Sequence, residues 1–427
     1  MTGADAVAGG SGELPDRAAP ASDALLAETV RAESGRIVAA LTARLGSFDV
    51  AEEAVSDAVE EAVREWRVRG IPPRPGAWLT EAARHNALDR LRRDRVYRDK
   101  LALLADPTQA PARTDRAAGE AEPDERLPLL FGCCHPALAA DAQLALTLRT
   151  IVGLTTAQIA RATLQPVATV QQRIVRAKRK IAAAGIPLQI PQGDSRRERL
   201  DLVLTVVSVM YSEAHLMDGK DAAADRDLAD DAIWLARVVA AALPDEAEAH
   251  GLLALLLFHR AREDARAVDG DLVLLGDQDR SRWDRPLMIA AHAQLRRAAA
   301  LRRPGRWQLH AAIAACHADA ADADGTDWLQ VLTLYDMLLV FDRSPLVRLN
   351  RAVALARADG AGVALREVDD LEPALAGAHL WHAVRASLLR EVGREEEALA
   401  ADLRALELTA NAAERRLIER RLGRPGS

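Results

Sequence analysis

The chain has 427 residues, 49% hydrophobic, 28% charged and only 3% aromatic, with a formal net charge of −7. That length allows two or three domains with a sizeable core, and three cysteines, two of them adjacent, exclude a disulfide framework and fit a reducing cytoplasm. No apolar run nears the ~18 residues of a membrane span, and the start lacks a basic segment followed by an apolar core, so a cytoplasmic protein without membrane contact is expected.

Alanine and leucine dominate with few β-branched runs, which predicts an all-α protein. Residues 1–22, rich in Ala, Gly, Asp and Pro, read as a disordered leader. A helix is expected from about Ala24 to Leu45, closed by the turn Gly46-Ser47. Between Val50 and Trp66 a second helix gathers Val55, Val59, Ala62 and Trp66 on one side and Glu53, Asp57, Glu60 and Glu61 on the other. That acidic face is either a dock for a basic protein surface or a solvated face. The prolines of Ile71-Pro72-Pro73 end the helix. Gly76 to Arg95 then reads as a third helix that finishes in an arginine cluster, with seven basic and three acidic residues from Arg84 to Lys100. It is a candidate nucleic-acid surface, beside which Trp78 is either a stacking group or core.

Residues 101–125 read as a linker, and Leu127 to Ile151 as two supporting helices. Cys133-Cys134-His135 lacks zinc-ligand spacing and is assigned to packing; no metal or cofactor is expected. The most informative stretch is Gly153 to Ile181. Thr155 and Gln158 fit a capping box, and Pro166 suits the first position of a following helix. At 100° per residue, Val167, Val170, Ile174, Ala177 and Ile181 form one apolar stripe. Ala168, Thr169, Gln172, Arg173, Arg176, Arg179 and Lys180 face outward, and Val167 to Ile181 holds five Arg or Lys with no Asp or Glu. Two short helices with such a face read as a helix-turn-helix whose partner is DNA: cations for phosphate, Gln172 and Arg176 for base edges.

The order of these segments resembles the extracytoplasmic-function (ECF) sigma factors of bacterial RNA polymerase, over roughly residues 25–183. The residues that carry the resemblance are the acidic helix, the Trp78-Leu79 helix with Arg84-x-Asn86-x-x-Asp89-Arg90-Leu91-Arg92-Arg93, the linker, and Gly153-Leu-Thr through Arg176-Ala-Lys-Arg-Lys180. The resemblance implies a region 2-like domain over 23–100 and a region 4-like domain over 126–185. It places Glu53, Asp57, Glu60 and Glu61 against core RNA polymerase, Trp78, Asn86, Asp89, Arg90, Arg92 and Arg93 at the −10 element, and Ala168 to Lys180 at the −35 element. Leu164 stands where many members have glycine in the turn.

Residues 186–427 are an extension. Ile186-Pro-Leu-Gln-Ile-Pro191 reads as a connector, followed by amphipathic stretches at 232–243, 246–262, 287–301, 307–320, 328–341 and 346–358. In Leu380 to Asn411, Ala386, Gly393, Ala398 and Ala405 have the small-residue spacing of a tetratricopeptide (TPR) repeat, with Asp402 in place of an aromatic and Ala410 in place of the closing proline. The blocks Asp277 to Asp284 and Ser344 to Ala354 resemble those of ECF factors with a long TPR-like extension, which implies a protein partner on it. Asp277 to Asp284 is expected to be a salt-bridged loop that pins helices; Tyr211, Glu213, His215 and Asp218 pack or bind a partner. No catalytic constellation emerges, so the expectation is a non-enzymatic sigma factor acting on promoter DNA. The alternative is a stand-alone helix-turn-helix regulator with a sensing domain.

Overall fold

The computed structural model describes residues 19–93, 126–163, 165–214, 228–268, 271–409 and 411–423. Among the described residues, nineteen α-helices and one two-stranded hairpin make it all-α. Two compact units are present, one formed by residues up to Gln192 and the other by Gly193–Ser427 together with Arg161–Thr163. The leader up to residue 18, the linker, Leu164, His215, Asp218 and Ala410 lie outside the described residues.

In the first unit, α1 (Ala19–Leu45), α2 (Phe48–Arg69) and α3 (Pro75–Arg93) pack pairwise on one another. Helix α1 begins four residues inside the stretch expected to be leader; Pro20 is compatible because a first-turn N–H has no intrahelical acceptor. Ser47 caps α2 by accepting from the Val50 N–H at 3.4 Å, and Phe48, Ala51, Ala54, Val55, Ala58, Ala62 and Trp66 are its buried face. Helices α4 (Arg126–Cys133) and α5 (Ala140–Thr147) follow, and α5 runs on into a π turn over Leu148–Val152. Gly153 ends that turn at φ 81°, a left-handed conformation natural to glycine. Cys133 and Cys134 are fully buried; burial pushes the Cys133 thiol well above its usual pKa, and Cys134 Sγ lies 3.6 Å from Thr147 Oγ1. The connector belongs to this unit, because Ile186 is buried and the Leu188 side chain closes over Gly132.

The second unit runs α8 (Asp194–Ala214), α9 (Leu228–Ala242), α10 (Ala247–Ala261), the hairpin β1 (Ala267–Val268) and β2 (Asp271–Leu272), α11 (Arg285–Ala300), α12 (Arg306–Asp319) and α13 (Trp328–Leu338). It continues with α14 (Pro345–Asp359), α15 (Ala361–Asp369), the single turn α16 (Glu372–Leu375), α17 (His379–Glu391), α18 (Glu395–Leu408) and α19 (Ala412–Arg421). Neighbours pack as α10 with α11 and α12, α14 with α15, and α17 with α18. Helix α10 is buried nearly all round, consistent with its run Leu252–Phe258. It crosses α12 at Gly251, where an added Cβ would lie 2.7 Å from the Gln308 backbone nitrogen. Gly251→Ala is therefore expected to destabilise this unit by about 1–3 kcal/mol in urea unfolding followed by tryptophan fluorescence, because separating two backbones outweighs the helix propensity gained.

The Asp277 to Asp284 block pins helices as expected, but among the described residues it does so through backbone hydrogen bonds rather than salt bridges. Asp279 accepts from the Ser281 N–H at 2.9 Å, and Asp284 caps α11 through the Leu287 N–H at 2.9 Å. Arg280 donates to the carbonyls of His317 and Ala320 at the end of α12, and its guanidinium lies 5.0 Å from the buried Trp283 ring. Helix ends leave orphan donors and acceptors, and these side chains supply them. Tyr211 is buried, with its ring stacked at 6.2 Å on His259.

Candidate nucleic-acid interface

Helix α6 (Thr156–Ala162) starts from the expected capping box: the Thr155 N–H donates to Gln158 Oε1 at 2.8 Å, and the Gln158 N–H to Thr155 Oγ1 at 3.2 Å. Helix α7 (Val167–Ala183) follows after a short turn. Pro166 is its N-cap, one place earlier than expected, with extended φ −63°, ψ 138°. Val170, Ile174, Ala177 and Ile181 are buried, whereas Val167 is 45% exposed. The stripe therefore begins at Val170 rather than at Val167.

The outward face divides into committed and free groups. Ala168, Gln172, Arg176, Arg179 and Lys180 are exposed and Thr169 is half-exposed. Among the described residues no carboxylate pairs with Arg176 or Arg179. Lys180 donates to the carbonyl of Ala137. Arg173 is held by Asp141 at 2.9 Å and by Gln165. Gln172, Arg176 and Arg179 are thus the side chains left to meet a ligand, on one side of a helix whose other side is core. A cationic, acid-free helix face of this kind suits the phosphate backbone, with an amide and a guanidinium at its centre to hydrogen-bond base edges in the major groove.

Lys178 was on neither face in the sequence, and the structure gives it a role. It is 12% exposed and its Nζ lies 2.7 Å from Glu52 Oε2 and 3.2 Å from Asp49 Oδ1, on the first turns of α2. Thr150 Oγ1 adds to the cluster by donating to Glu52 Oε1 at 3.4 Å. The signal was available: Lys178 falls four residues after Ile174 and three before Ile181, the spacing of a flank to the buried stripe.

On α2 and α3, groups expected to face separate partners meet each other. Arg90 binds Asp57 at 2.9 Å and Glu53 at 2.5 Å, and the Asp57 hydrogen bond, with the Glu53 charge, raises its pKa. Oriented to satisfy both ends of its amide, Asn86 donates to Glu61 Oε1 at 3.3 Å and accepts from the Ala58 N–H at 3.2 Å. Glu60 and Asp89 are exposed, and of the side chains of Arg92 and Arg93 nothing is described. Trp78 is half-buried with its ring edge-on to Trp66 at 5.6 Å, so it packs while keeping one part accessible.

Residues 129–181 match the family "Sigma-70, region 4", which takes in α4 through α7 and so both helices of the helix-turn-helix. The chain is a member of the sigma-70 family. Sigma-70 factors are transcription initiation factors that bind DNA, and region 4 is their helical helix-turn-helix domain. Residues 199–299, from within α8 to α11, match a family of unknown function, DUF6596. The Rhizobium meliloti (strain 1021) protein named "Uncharacterized protein R00370" is 40% identical over 380 residues, 88% of this chain and 90% of its own length. This sigma-70 protein and that relative therefore share the extension as well as region 4. Among the described residues no helix is long and apolar enough to cross a membrane.

Proposed function

We propose that this sigma-70 protein is an ECF-type sigma factor: it binds core RNA polymerase, reads a −35 element with α7 and a −10 element with α3, and carries a TPR-like extension that supports or regulates initiation. The observation that carries the reading is the free face of Gln172, Arg176 and Arg179 on the second helix of the region 4 match. Supporting it, α2 keeps Glu60 exposed beside a face otherwise tied to α3, which gives polymerase a composite surface of both helices. The proposed TPR-like character rests on the α17–α18 hairpin. Ala386, Ala398 and Ala405 are fully buried there, Gly393 turns at φ 77°, and Asp402 fills the aromatic position by pairing with Arg390. Hairpins of this kind present partner surfaces.

Transcription in vitro with core polymerase, on DNA selected by the full-length protein, tests the reading. The full chain is expected to bind core and initiate, and a chain ending at Gln192 to bind core but initiate poorly. Equal initiation by both would make the extension dispensable. Failure of the full chain to bind core would leave a stand-alone helix-turn-helix regulator.

A further inference from the structure

The second unit contains a cavity of about 300 Å³ between β2, α14, α17 and α19. Its walls are aliphatic, including Leu274, Val353, Leu380 and Leu417, and no Phe, Tyr or Trp lines it. Leu274 is 40% and Leu380 47% exposed, so apolar surface that folding would ordinarily hide is left open. The enclosure is built from distant parts of the chain. Asp271 of the hairpin holds α19 through Arg416 at 3.0 Å and through Arg420, closing one side of the recess. Helix α19 otherwise rests on a small satellite cluster of Ala405, Leu406 and Ile418.

The polar groups at the cavity are unequally satisfied. Glu414 is committed, to His379 at 2.9 Å and to Thr409 Oγ1 at 2.7 Å. The two arginines are not. Arg357 comes no nearer to Glu391 than 3.8 Å, and Arg421 no nearer to Asp402 than 3.9 Å, both beyond hydrogen-bond reach. The second oxygen of Asp402 is taken by Arg390; the Arg421 side chain is only 26% exposed, whereas Arg357 is 55% exposed and meets water at the mouth. For Arg421, a guanidinium drawn largely out of water with donors unmatched is costly unless an anion completes it, and Arg357 stands at the opening as a second donor.

We propose that this cavity is a ligand site for a medium-chain aliphatic carboxylate, whose chain fills the recess and whose head group takes hydrogen bonds from Arg421 and Arg357. At ~30 Å³ for each water-sized volume, the space takes roughly ten heavy atoms, at the small end of ligand pockets that combine apolar walls with a few placed polar groups. The aliphatic lining favours a flexible chain over a planar ring. Because α19 and β2 form two of its walls, the ligand ties the end of the chain to the hairpin, and the extension becomes a sensor whose terminal helix docks more firmly when loaded. Binding here stands independently of the sigma-factor reading.

Titration calorimetry of the full-length protein with decanoate and with decanol tests it, alongside hydrogen exchange of residues 412–421. Saturable 1:1 binding of decanoate is expected, with slower exchange in α19. Ala383→Trp, which fills the cavity, is expected to abolish binding, and Arg421→Met to weaken decanoate about tenfold while leaving decanol unchanged. If Ala383→Trp does not fold, Arg421→Met and the decanol comparison decide. Absence of saturable binding, or binding that neither variant alters, overturns the site; decanol bound as tightly as decanoate overturns the role of the arginines. Promoter-specific initiation without ligand binding would sink this inference alone, and ligand binding without core-polymerase binding would sink the sigma-factor reading alone.

Discussion

Replacing Gln172 and Arg176 together by alanine is expected to cut initiation from a cognate promoter by about a hundredfold while core-polymerase binding stays unchanged. Each good amide or guanidinium hydrogen-bonding pair with a base edge contributes about 1–3 kcal/mol of discrimination, so removing two of them amounts to one to several powers of ten. Both side chains are exposed, and Arg176 has no carboxylate partner among the described residues, so their removal leaves the fold of the first unit intact. Arg173 makes a poorer test. It is already bound to Asp141, and its substitution would mix packing with recognition. The measurement is run-off transcription over a salt series with a parallel assay of core binding. Arg179→Ala serves as the contrast: taking away a phosphate-binding cation there weakens binding to all sequences and flattens the salt dependence by about one unit of slope. Unchanged promoter use in the double variant would remove α7 from the recognition role.

The helix-turn-helix was legible because its signals are local. The capping box at Thr155 and Gln158, the turn proline and the 3.6-residue apolar period each depend on residues within four positions of one another, and the structure realises them with small shifts at Pro166 and Val167. Long-range pairing was not legible in the same way. Glu53 and Asp57 look like a free acidic face until α3 lays Arg90 across them, and Glu52, on neither face in the sequence, meets Lys178 from 126 residues away. The Asp277 to Asp284 block shows the same limit from the other side. Its charges suggested ion pairs, whereas helix ends unknown to the sequence used them as caps. The cavity lay furthest from view, since its walls come from residues 272 to 421 and exist only once the hairpin meets α19.

Lys178→Met is expected to destabilise the first unit by about 2–3 kcal/mol, more than any substitution on the outward face of the same helix. Breaking a largely buried pair leaves the partner charge stranded, and here that charge is Glu52, 17% exposed, with Thr150 as its remaining neutral donor. The residual exposure of the pair keeps the cost below that of a fully enclosed one. Glu52→Gln alone should cost less, because the amide oxygen still accepts from Lys178 while the amide NH2 can donate to the Thr150 hydroxyl. Lys178→Met combined with Glu52→Leu should recover part of the stability, since matched apolar groups carry no orphaned charge. Urea unfolding of a chain ending at Gln192, whose tryptophans are Trp66 and Trp78, touching edge to face within this unit, reports the effect without signal from the five tryptophans of the second. A drop in stability for Lys178→Met with none for Arg176→Ala would divide α7 into a packing face and a recognition face two residues apart. Equal stability of both variants would mean that Lys178 is free to meet phosphate, and the basic surface of the helix would then be one group larger than the structure places there.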